Sequence, residues 1–476
     1  MKRYQVTFLP DGITAAVEEG TTLLAAQAAA GLRPDAPCGG NGTCGKCRVR
    51  VDGVEVLACR TVVDRDMTVE TSAPEQVRIL TGGLEAAVQP DGTDTYALAL
   101  DIGTTTVVAY LLDGATGAIL ERASCVNPQS RFGADVISRI QCALEGRGEE
   151  LRECIRTAIS GLARETARRR GIRVEDITAA AVVGNTAMHH LLLGIDPRPL
   201  VTPPYMPSVF EALARGNARI LPNIAGFVGG DTVGCMTALR FDQLRELTLL
   251  IDIGTNGEMV LGDQNRRIAC STAAGPAFEG AKISCGMRGA AGAVDHVWLE
   301  EGKIRYHVID DAAPLGLCGS GLLDLVAVLL EQGIVDESGY LEGKSFTLCD
   351  NVTLTQRDVR EVQLAKAAIR SGIELLTRRL GVRVEDIRRV CLAGAFGNYL
   401  NPESACRIGM IPPVLLDRIV SVGNAAGEGS RLCALSRAEF EYSKRLAAGT
   451  EFLELASLPE FQDCYVDALE FEEEEP

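Results

Sequence analysis

An internal repeat constrains the fold of this 476-residue chain more than any other feature of its sequence. Residues 96–106 contain an apolar run that ends in Asp-Ile-Gly-Thr, and residues 249–257 contain a second run with the same ending. A longer pattern recurs as well, because residues 171–177 and 381–387 both read Gly-x-Arg-Val-Glu-Asp-Ile before an apolar strand and a glycine turn. Two matched pairs in the same order predict two homologous lobes.

Each Asp-Ile-Gly-Thr ending has the composition of a phosphate-binding hairpin. Glycine and small hydroxyl residues let backbone N–H groups approach a chain of phosphates. An aspartate beside them faces a bound Mg²⁺ ion, usually through water, because Mg²⁺ gives up its hydration reluctantly. The sequence therefore predicts Mg-nucleotide binding, with Asp101 and Asp252 as catalytic carboxylates. The predicted phosphate-binding residues are Gly103, Thr104 and Thr105 in the first copy and Gly254, Thr255 and Asn256 in the second.

Further carboxylates and one further turn are candidates for the same site. Asp231, in a Gly-Gly-Asp-Thr stretch, either orients Mg²⁺ or water or caps the helix that begins near Thr232. Glu258 follows the second predicted hairpin and is a further candidate for a catalytic role. Gly423 and Asn424 form a turn at which the backbone can approach a ligand.

The repeated pattern resembles the actin-like ATPase superfamily, which includes sugar kinases, acetate kinases and chaperone ATPases. The resemblance implies an α/β fold in which ATP lies between two ribonuclease-H-like lobes and is clasped by one hairpin from each. It places the first lobe at residues 96–245 and the second at residues 246–476, with a C-terminal helix that can pack back on the first lobe. It also implies an adenosine loop formed by Gly394, Ala395, Gly397 and Asn398.

Four cysteines lie close together near the N-terminus, spaced C-x5-C-x2-C-x11-C among several glycines: Cys38, Cys44, Cys47 and Cys59. A loop around a metal cluster must bend sharply and direct backbone N–H groups at sulfur, which glycine permits. Residues 1–71 resemble a [2Fe–2S] ferredoxin domain of the β-grasp type, although the plant-type loop spacing is one residue shorter. A four-cysteine zinc site, which usually has two C-x2-C pairs, is the alternative. Residues 72–95, with several glycines and prolines, predict a linker.

A ferredoxin module joined to an actin-like ATPase is similar to the reductive activators of corrinoid-dependent methyltransferase systems. Residues 183–194, 274–281 and 317–324 also look characteristic of that family. Its larger members carry an extra domain where this chain has only the linker. The resemblance implies an ATP-hydrolysing metalloreductase that passes one electron from the [2Fe–2S] cluster to the Co(II) corrinoid of a partner protein, restoring Co(I). It also implies an upstream electron donor and a homodimer.

Two other functions stay open at this point. Activators of radical dehydratases also join an actin-like ATPase to iron–sulfur chemistry, although they usually hold the cluster between two subunits through cysteines of the ATPase fold. A redox-sensing regulator would use ATP only as a conformational ligand. An ATPase rate that rises with a Co(II) corrinoid protein would separate the reductase from the regulator.

Charge and composition narrow the class of partner. The formal net charge of −17 disfavours nucleic acid, which attracts basic surfaces. The chain has no apolar run of the roughly 18 residues that a membrane span needs and no N-terminal signal core, so we expect a cytoplasmic protein with reduced thiols. The twelve cysteines outside the N-terminal group are expected to be buried thiols, and His189 and His190 to serve packing.

Overall fold

The computed structural model describes residues 2–10, 12–32, 34, 36, 40, 42, 47–71, 83–92, 95–133, 135–349 and 352–471. Two of the predicted cluster ligands, Cys38 and Cys44, and much of the predicted linker lie outside the described residues. Among the helices within these ranges, none combines the length and the apolar character that crossing a membrane requires.

Alternating apolar residues build a five-stranded sheet and one helix near the N-terminus. The elements are β1 (Arg3–Leu9), β2 (Ile13–Glu18), α1 (Leu23–Ala29), β3 (Arg48–Val51), β4 (Val54–Leu57) and β5 (Met67–Glu70). The strand order is β2-β1-β5-β3-β4, and β1 pairs in parallel with β5. Val6, Phe8 and Leu23 meet in a core whose buried members, among the residues that the structure describes, all lie between residues 6 and 69. Burial of these apolar side chains stabilises the fold of the N-terminal part.

A six-stranded sheet forms the centre of the first lobe. The elements of this lobe are β6 (Tyr96–Ile102), β7 (Thr106–Asp113), β8 (Ile119–Val126), α2 (Val136–Cys142), α3 (Gly148–Arg170), β9 (Ile177–Gly184), α4 (Thr186–Leu193), β10 (Leu213–Arg215), β11 (Ala218–Ile220) and α5 (Gly230–Ala238). The strand order is β10-β11-β9-β6-β7-β8, and one long helix, α3, and three short helices accompany the sheet.

A second six-stranded sheet and two small sheets form the remainder of the chain. The elements are β12 (Thr248–Ile253), β13 (Gly257–Gly262), β14 (Arg267–Thr272), β15 (Ala293–Glu300), β16 (Lys303–Val308), β17 (Gly316–Leu317), α6 (Gly319–Glu331), β18 (Ser345–Cys349), β19 (Val352–Thr355), α7 (Gln356–Leu380), β20 (Arg389–Ala393), α8 (Gly394–Tyr399), α9 (Pro402–Arg407), β21 (Ile419–Gly423), α10 (Ala425–Leu435), α11 (Arg437–Ala448), β22 (Glu451–Phe452) and α12 (Phe461–Asp467). The large sheet has the order β21-β20-β12-β13-β14-β22.

The two large sheets repeat the same arrangement. In each, three antiparallel strands form a meander, and the first strand of the meander also pairs in parallel with a later strand, β9 in the first lobe and β20 in the second. The helices α3 and α7 precede those later strands and both end at a glycine in the left-handed region, Gly171 (φ 76°) and Gly381 (φ 64°). The predicted α/β fold with duplicated lobes is therefore confirmed.

The helix α10 follows β21 of the second large sheet in sequence but packs on the first large sheet. Its Ser430 hydroxyl donates to backbone oxygens of Leu100 and Ala181, and it accepts from the Leu100 N–H. At its crossing with α5 the two backbones touch, because a Cβ built on Gly429 would lie 2.1 Å from the carbonyl oxygen of Gly234. The helix that packs back on the first lobe is thus α10, whereas α12, the last helix described, contacts α7.

Residues 83–92, which belong to the predicted linker, are bound to β21 and α10. Gly83 pairs with Gly423 at the end of β21. The backbone of Ala86 donates to Glu428 at 2.7 Å and accepts from Arg431 at 2.6 Å. Since Glu428 and Arg431 are themselves a buried ion pair, this segment is held at a defined position.

Candidate functional site

A deep cleft lies where the two Asp-Ile-Gly-Thr hairpins face each other. It encloses about 310 Å³. In each of the two large sheets, the hairpin begins where a strand ends. The repeat in the sequence therefore brings the two aspartates to the same cleft. The predicted residues that line it are Asp101, Gly103, Thr104, Thr105, Asp231, Asp252, Gly254, Thr255, Asn256, Glu258, Gly394 and Asn424.

Four desolvated carboxylates, Asp101, Asp231, Asp252 and Glu258, line the cleft. The surrounding protein removes water from Asp101 and Asp252, and this desolvation raises the pKa of each to about 7. The same cause raises the pKa of Asp231 to about 6 and that of Glu258 well above its ordinary value, with further contributions at Glu258 from the charges of Asp231 and Asp252. Like charges held together in this way favour a bound cation.

The carboxylates suit a cation that keeps its water. Within the described part of the chain, no three His, Cys, Asp or Glu side chains converge as direct ligands of one metal ion. Mg²⁺ retains several waters and takes part of its coordination from nucleotide phosphates. The donor set therefore fits Mg²⁺ held through water, with Asp101 and Asp252 on opposite hairpins.

Side-chain amides hold the first hairpin and its aspartate in place. Asn424 donates to Asp101 at 2.9 Å and to the Tyr110 hydroxyl at 3.1 Å. Asn185 donates to the Thr104 hydroxyl at 2.9 Å and also lines the cleft. Asn424 was predicted from its turn, whereas Asn185 was not, because it reaches the site only through the folding of β9 against β6.

The predicted adenosine loop is divided by the start of α8. Gly394, with φ 82°, faces the cleft, and a Cβ built on it would lie 2.5 Å from a carboxylate oxygen of Asp252. Gly397 and Asn398 point elsewhere: Gly397 packs against Leu392, and Asn398 accepts a hydrogen bond from the Ser421 hydroxyl. Gly423 ends β21 beside Gly83, and the Ala395 side chain lies outside the described residues.

Aromatic residues of this region were missed by the sequence analysis. Phe396 and Tyr399 line the cleft, and the Phe396 ring stacks on that of Phe278 with centroids 4.8 Å apart. Phe278 belongs to the stretch 274–281, whose residues show no simple periodicity. Only the three-dimensional fold brings this stretch to α8.

Asp231 lies in the first turn of α5 and lines the cleft, and its carboxylate accepts from the Thr232 N–H at 2.8 Å. The residue before the helix is Gly229, so Asp231 does not cap α5, and its role in orienting Mg²⁺ or water stays a prediction. Glu279, which the sequence analysis did not single out, accepts hydrogen bonds from Thr105 and Thr255 and so touches both hairpins.

The described cysteines of the N-terminal group fit a metal cluster. Cys47 and Cys59 are both buried, and the Ala58 N–H donates to the Cys47 carbonyl at 2.7 Å. Gly40, with φ 92°, brings the loop so close that a Cβ built on it would lie 3.9 Å from the Cys59 Cβ. Thiolates are the ligands of iron–sulfur clusters, and a close glycine-containing loop suits them.

His189 and His190 lie in packing positions, and so do most of the cysteines beyond residue 59; the exceptions are Cys318, which lines the cleft, and Cys235, whose thiol donates to Asp252 at 3.9 Å. His190 bonds through Nδ1 to the Thr186 carbonyl and through Nε2 to the Ser208 N–H, and desolvation lowers its pKa. His189, also buried in α4, contacts Asn223. Of the twelve cysteines beyond residue 59, eight are buried and four partly buried.

Comparison with known proteins agrees with this architecture. Residues 6–76 match the 2Fe-2S iron-sulfur cluster binding domain, residues 96–244 the RACo middle region, and residues 246–476 the C-terminal domain of RACo, the ASKHA domain. A solved structure of a reductive activator for corrinoid,iron-sulfur protein has a TM-score of 0.71 at 30% sequence identity and covers 98% of both chains.

Two curated relatives carry related names. The corrinoid activation enzyme RamQ of Eubacterium limosum is 36% identical over 413 residues, covering 78% of this chain and 69% of RamQ. The Co(II) methylated amine-specific corrinoid protein reductase of Methanosarcina barkeri is 29% identical over 291 residues, covering 55% of this chain and 53% of the reductase. On the matched RACo regions, the identity to RamQ and the end-to-end structural match, this chain belongs to the RACo family of reductive activators of corrinoid proteins.

Proposed function

We propose that this protein is an ATP-dependent reductive activator that returns the corrinoid of a partner methyltransferase protein from Co(II) to Co(I). The observation that carries the proposal is the cleft in which both Asp-Ile-Gly-Thr hairpins meet, in the same chain as a cysteine-bearing ferredoxin-like sheet. The names of the two curated relatives, one a corrinoid activation enzyme and the other a corrinoid protein reductase, support the choice of substrate.

Each part of the chain has a separate task in this proposal. Cys38, Cys44, Cys47 and Cys59 hold the cluster, which supplies a one-electron carrier when bound. Asp101 and Asp252 hold Mg²⁺ through water, while the hairpin threonines and backbone amides hold the phosphates. Asp231 and Glu258, which line the same cleft, orient the water that attacks the terminal phosphate in this proposal.

The coupling to ATP has an energetic reason. A ferredoxin-type cluster near −400 mV would face an uphill transfer to Co(II). An illustrative one-electron gap of roughly 200 mV corresponds to about 5 kcal/mol. A nucleotide that binds two states of the complex with different affinity can offset a cost of this size.

The proposal also includes an electron donor, an oligomeric state, a cellular location and domain boundaries. An upstream electron donor recharges the cluster, the protein works as a homodimer in the cytoplasm, and the domain boundaries fall at residues 1–71, 72–95, 96–245 and 246–476.

Stimulated ATP hydrolysis tests the proposal against a purely regulatory role. Under anaerobic conditions, the rate of phosphate release from Mg-ATP should rise when a Co(II) corrinoid protein is added, and it should stay at its basal value with the Co(I) form. A rate that ignores the corrinoid protein in both oxidation states would contradict a reductase and favour a redox-sensing regulator.

A further inference from the structure

Glu279 occupies the space between the two phosphate-binding hairpins. Its Oε2 accepts a hydrogen bond from the Thr105 hydroxyl at 2.7 Å, and its Oε1 accepts one from the Thr255 hydroxyl at 2.7 Å. Thr105 belongs to the first lobe and Thr255 to the second, so one carboxylate joins the lobes across the cleft.

The loop that carries Glu279 is held firmly. Gly275 (φ 78°) and Gly280 (φ 75°) flank a short helical turn, and a Cβ on Gly280 would lie 2.4 Å from the Met287 carbonyl oxygen. Phe278, next to Glu279, is buried and stacked on Phe396. The position of the Glu279 backbone is therefore set by packing, whereas its side chain is held by the two threonine hydroxyls.

The hydroxyls of Thr105 and Thr255 cannot donate to Glu279 and to a phosphate at the same time. A threonine hydroxyl has a single proton to donate. While Thr105 and Thr255 donate to Glu279, neither can donate to a phosphate oxygen. The carboxylate is also negatively charged, as a triphosphate is, so both cannot occupy this gap at low cost. Nucleotide phosphates and Glu279 compete for the same two donors.

A buried positive charge interacts electrostatically with Glu279. The Arg139 guanidinium is fully buried, and its Nη2 has no hydrogen-bond partner among the residues that the structure describes. Burial lowers the pKa of Arg139 to about 10, and Glu279 is the strongest of the nearby negative charges that oppose this shift. The charge of Arg139 thus attracts the Glu279 carboxylate whether or not it contacts the threonines.

We propose that Glu279 is a positioning residue that clasps the two lobes in the nucleotide-free protein and is displaced from Thr105 and Thr255 by the phosphates of ATP. This inference rests on the proposed nucleotide-binding function of the cleft. When ATP binds, its phosphates replace Glu279 as the group that joins the two lobes. A partner protein can respond to this replacement.

Nucleotide affinity and amide hydrogen exchange together test the clasp, which is the contact of Glu279 with Thr105 and Thr255. The affinity of a non-hydrolysable Mg-ATP analogue, measured by calorimetry, should increase about tenfold in Glu279→Gln and Glu279→Ala, since a repelling charge leaves the phosphate site. Amide exchange of the two hairpins should be faster than in wild type without nucleotide and equal to wild type with it. Glu342→Gln, which removes an exposed charge outside the cleft lining, should behave as wild type in both measurements.

The outcomes separate this inference from the function on which it rests. If wild type binds no Mg-nucleotide, the proposed function fails and the clasp with it. If wild type binds but the variants bind with unchanged or lower affinity, Glu279 does not compete with phosphate and only the clasp fails. Hairpins that exchange faster in the variants both with and without nucleotide would show a merely structural role and would also overturn it.

Discussion

Four of the carboxylates that line the cleft, Asp101, Asp231, Asp252 and Glu258, are desolvated, so it is costly for the protein to keep them ionised without a bound ligand. Desolvation raises the pKa of Asp101 and Asp252 to about 7, far above the value of about 4 in an unfolded chain. Between these two values the folded protein binds protons that the unfolded chain has released. The stability that this protonation provides is complete below the unfolded pKa and is lost as the pH rises through about 7.

A neutral substitution at Asp252 should therefore change how stability depends on pH. In the nucleotide-free protein, the free energy of unfolding of wild type should fall as the pH rises from 5 to 8, and Asp252→Asn should flatten part of this fall. At pH 8 we expect the variant to be more stable by on the order of 2 kcal/mol. Urea denaturation at several pH values measures both effects.

The exposed Asp467 provides the matched control, because Asp467→Asn changes the net charge equally on the surface. If Asp252→Asn and Asp467→Asn give the same pH dependence as wild type, the carboxylates are not desolvated in the way described here.

Residues at strand ends could be predicted from the sequence, whereas those brought in by other elements could not. Asp101 and Asp252 follow apolar strands, so their place at the cleft depends on local pattern and the repeat. Glu279 and Asn185 depend on how distant segments pack, and nothing in their neighbourhood indicates a phosphate contact. Asn398 was expected at the cleft, but α8 begins at Gly394 and turns this residue toward Ser421.

At the scale of elements, the crossing of α5 and α10 binds the first sheet to the C-terminal part of the chain. Gly234 and Gly429 let the two helix backbones touch, and Cβ atoms would fill the space between them. The sequence shows both glycines but does not indicate that they meet, since the helices are far apart along the chain. The repeat in the sequence predicted the two large sheets, whereas the contact between α5 and α10 is visible only in the structure.

Adding one methyl group at this crossing should weaken the fold. A Cβ on Gly429 lies 2.1–2.5 Å from backbone atoms of Gly234, so Gly429→Ala must separate the helices. We expect a loss of about 2–3 kcal/mol in the free energy of unfolding. Gly161→Ala in α3, where a Cβ meets nothing within 4 Å, should instead gain about 0.5–1 kcal/mol. Equal stability of the two variants would show that α5 and α10 do not touch in solution.

On the scale of the whole molecule, two parts with separate cores share one chain. The N-terminal core uses residues between 6 and 69, whereas the other core clusters described begin at residue 97. Residues 83–92 join them and are fastened beside Asn424, which in turn contacts Asp101. The family resemblance predicted both parts from their motifs, but the anchoring of the connecting segment depends on contacts that its glycine- and proline-containing sequence does not indicate.

Removing one cluster ligand should leave the nucleotide site intact. Cys59→Ser is expected to abolish the visible iron–sulfur absorbance, while the affinity for Mg-ATP stays within about twofold of wild type because the cores are separate. Absorbance spectra and calorimetry measure the two properties. Ser457→Ala, far along the chain, should change neither. Loss of nucleotide binding in Cys59→Ser would contradict independent parts.

The most direct test of the whole account is the anaerobic reduction of a Co(II) corrinoid protein, followed by its visible spectrum with reductant and Mg-ATP present. The account predicts conversion to Co(I) by wild type. It also predicts no conversion by Asp252→Ala, which keeps the cluster, or by Cys59→Ser, which keeps the nucleotide site. A corrinoid spectrum that wild type leaves unchanged across a panel of corrinoid proteins, or that Asp252→Ala converts as fast as wild type, would contradict it.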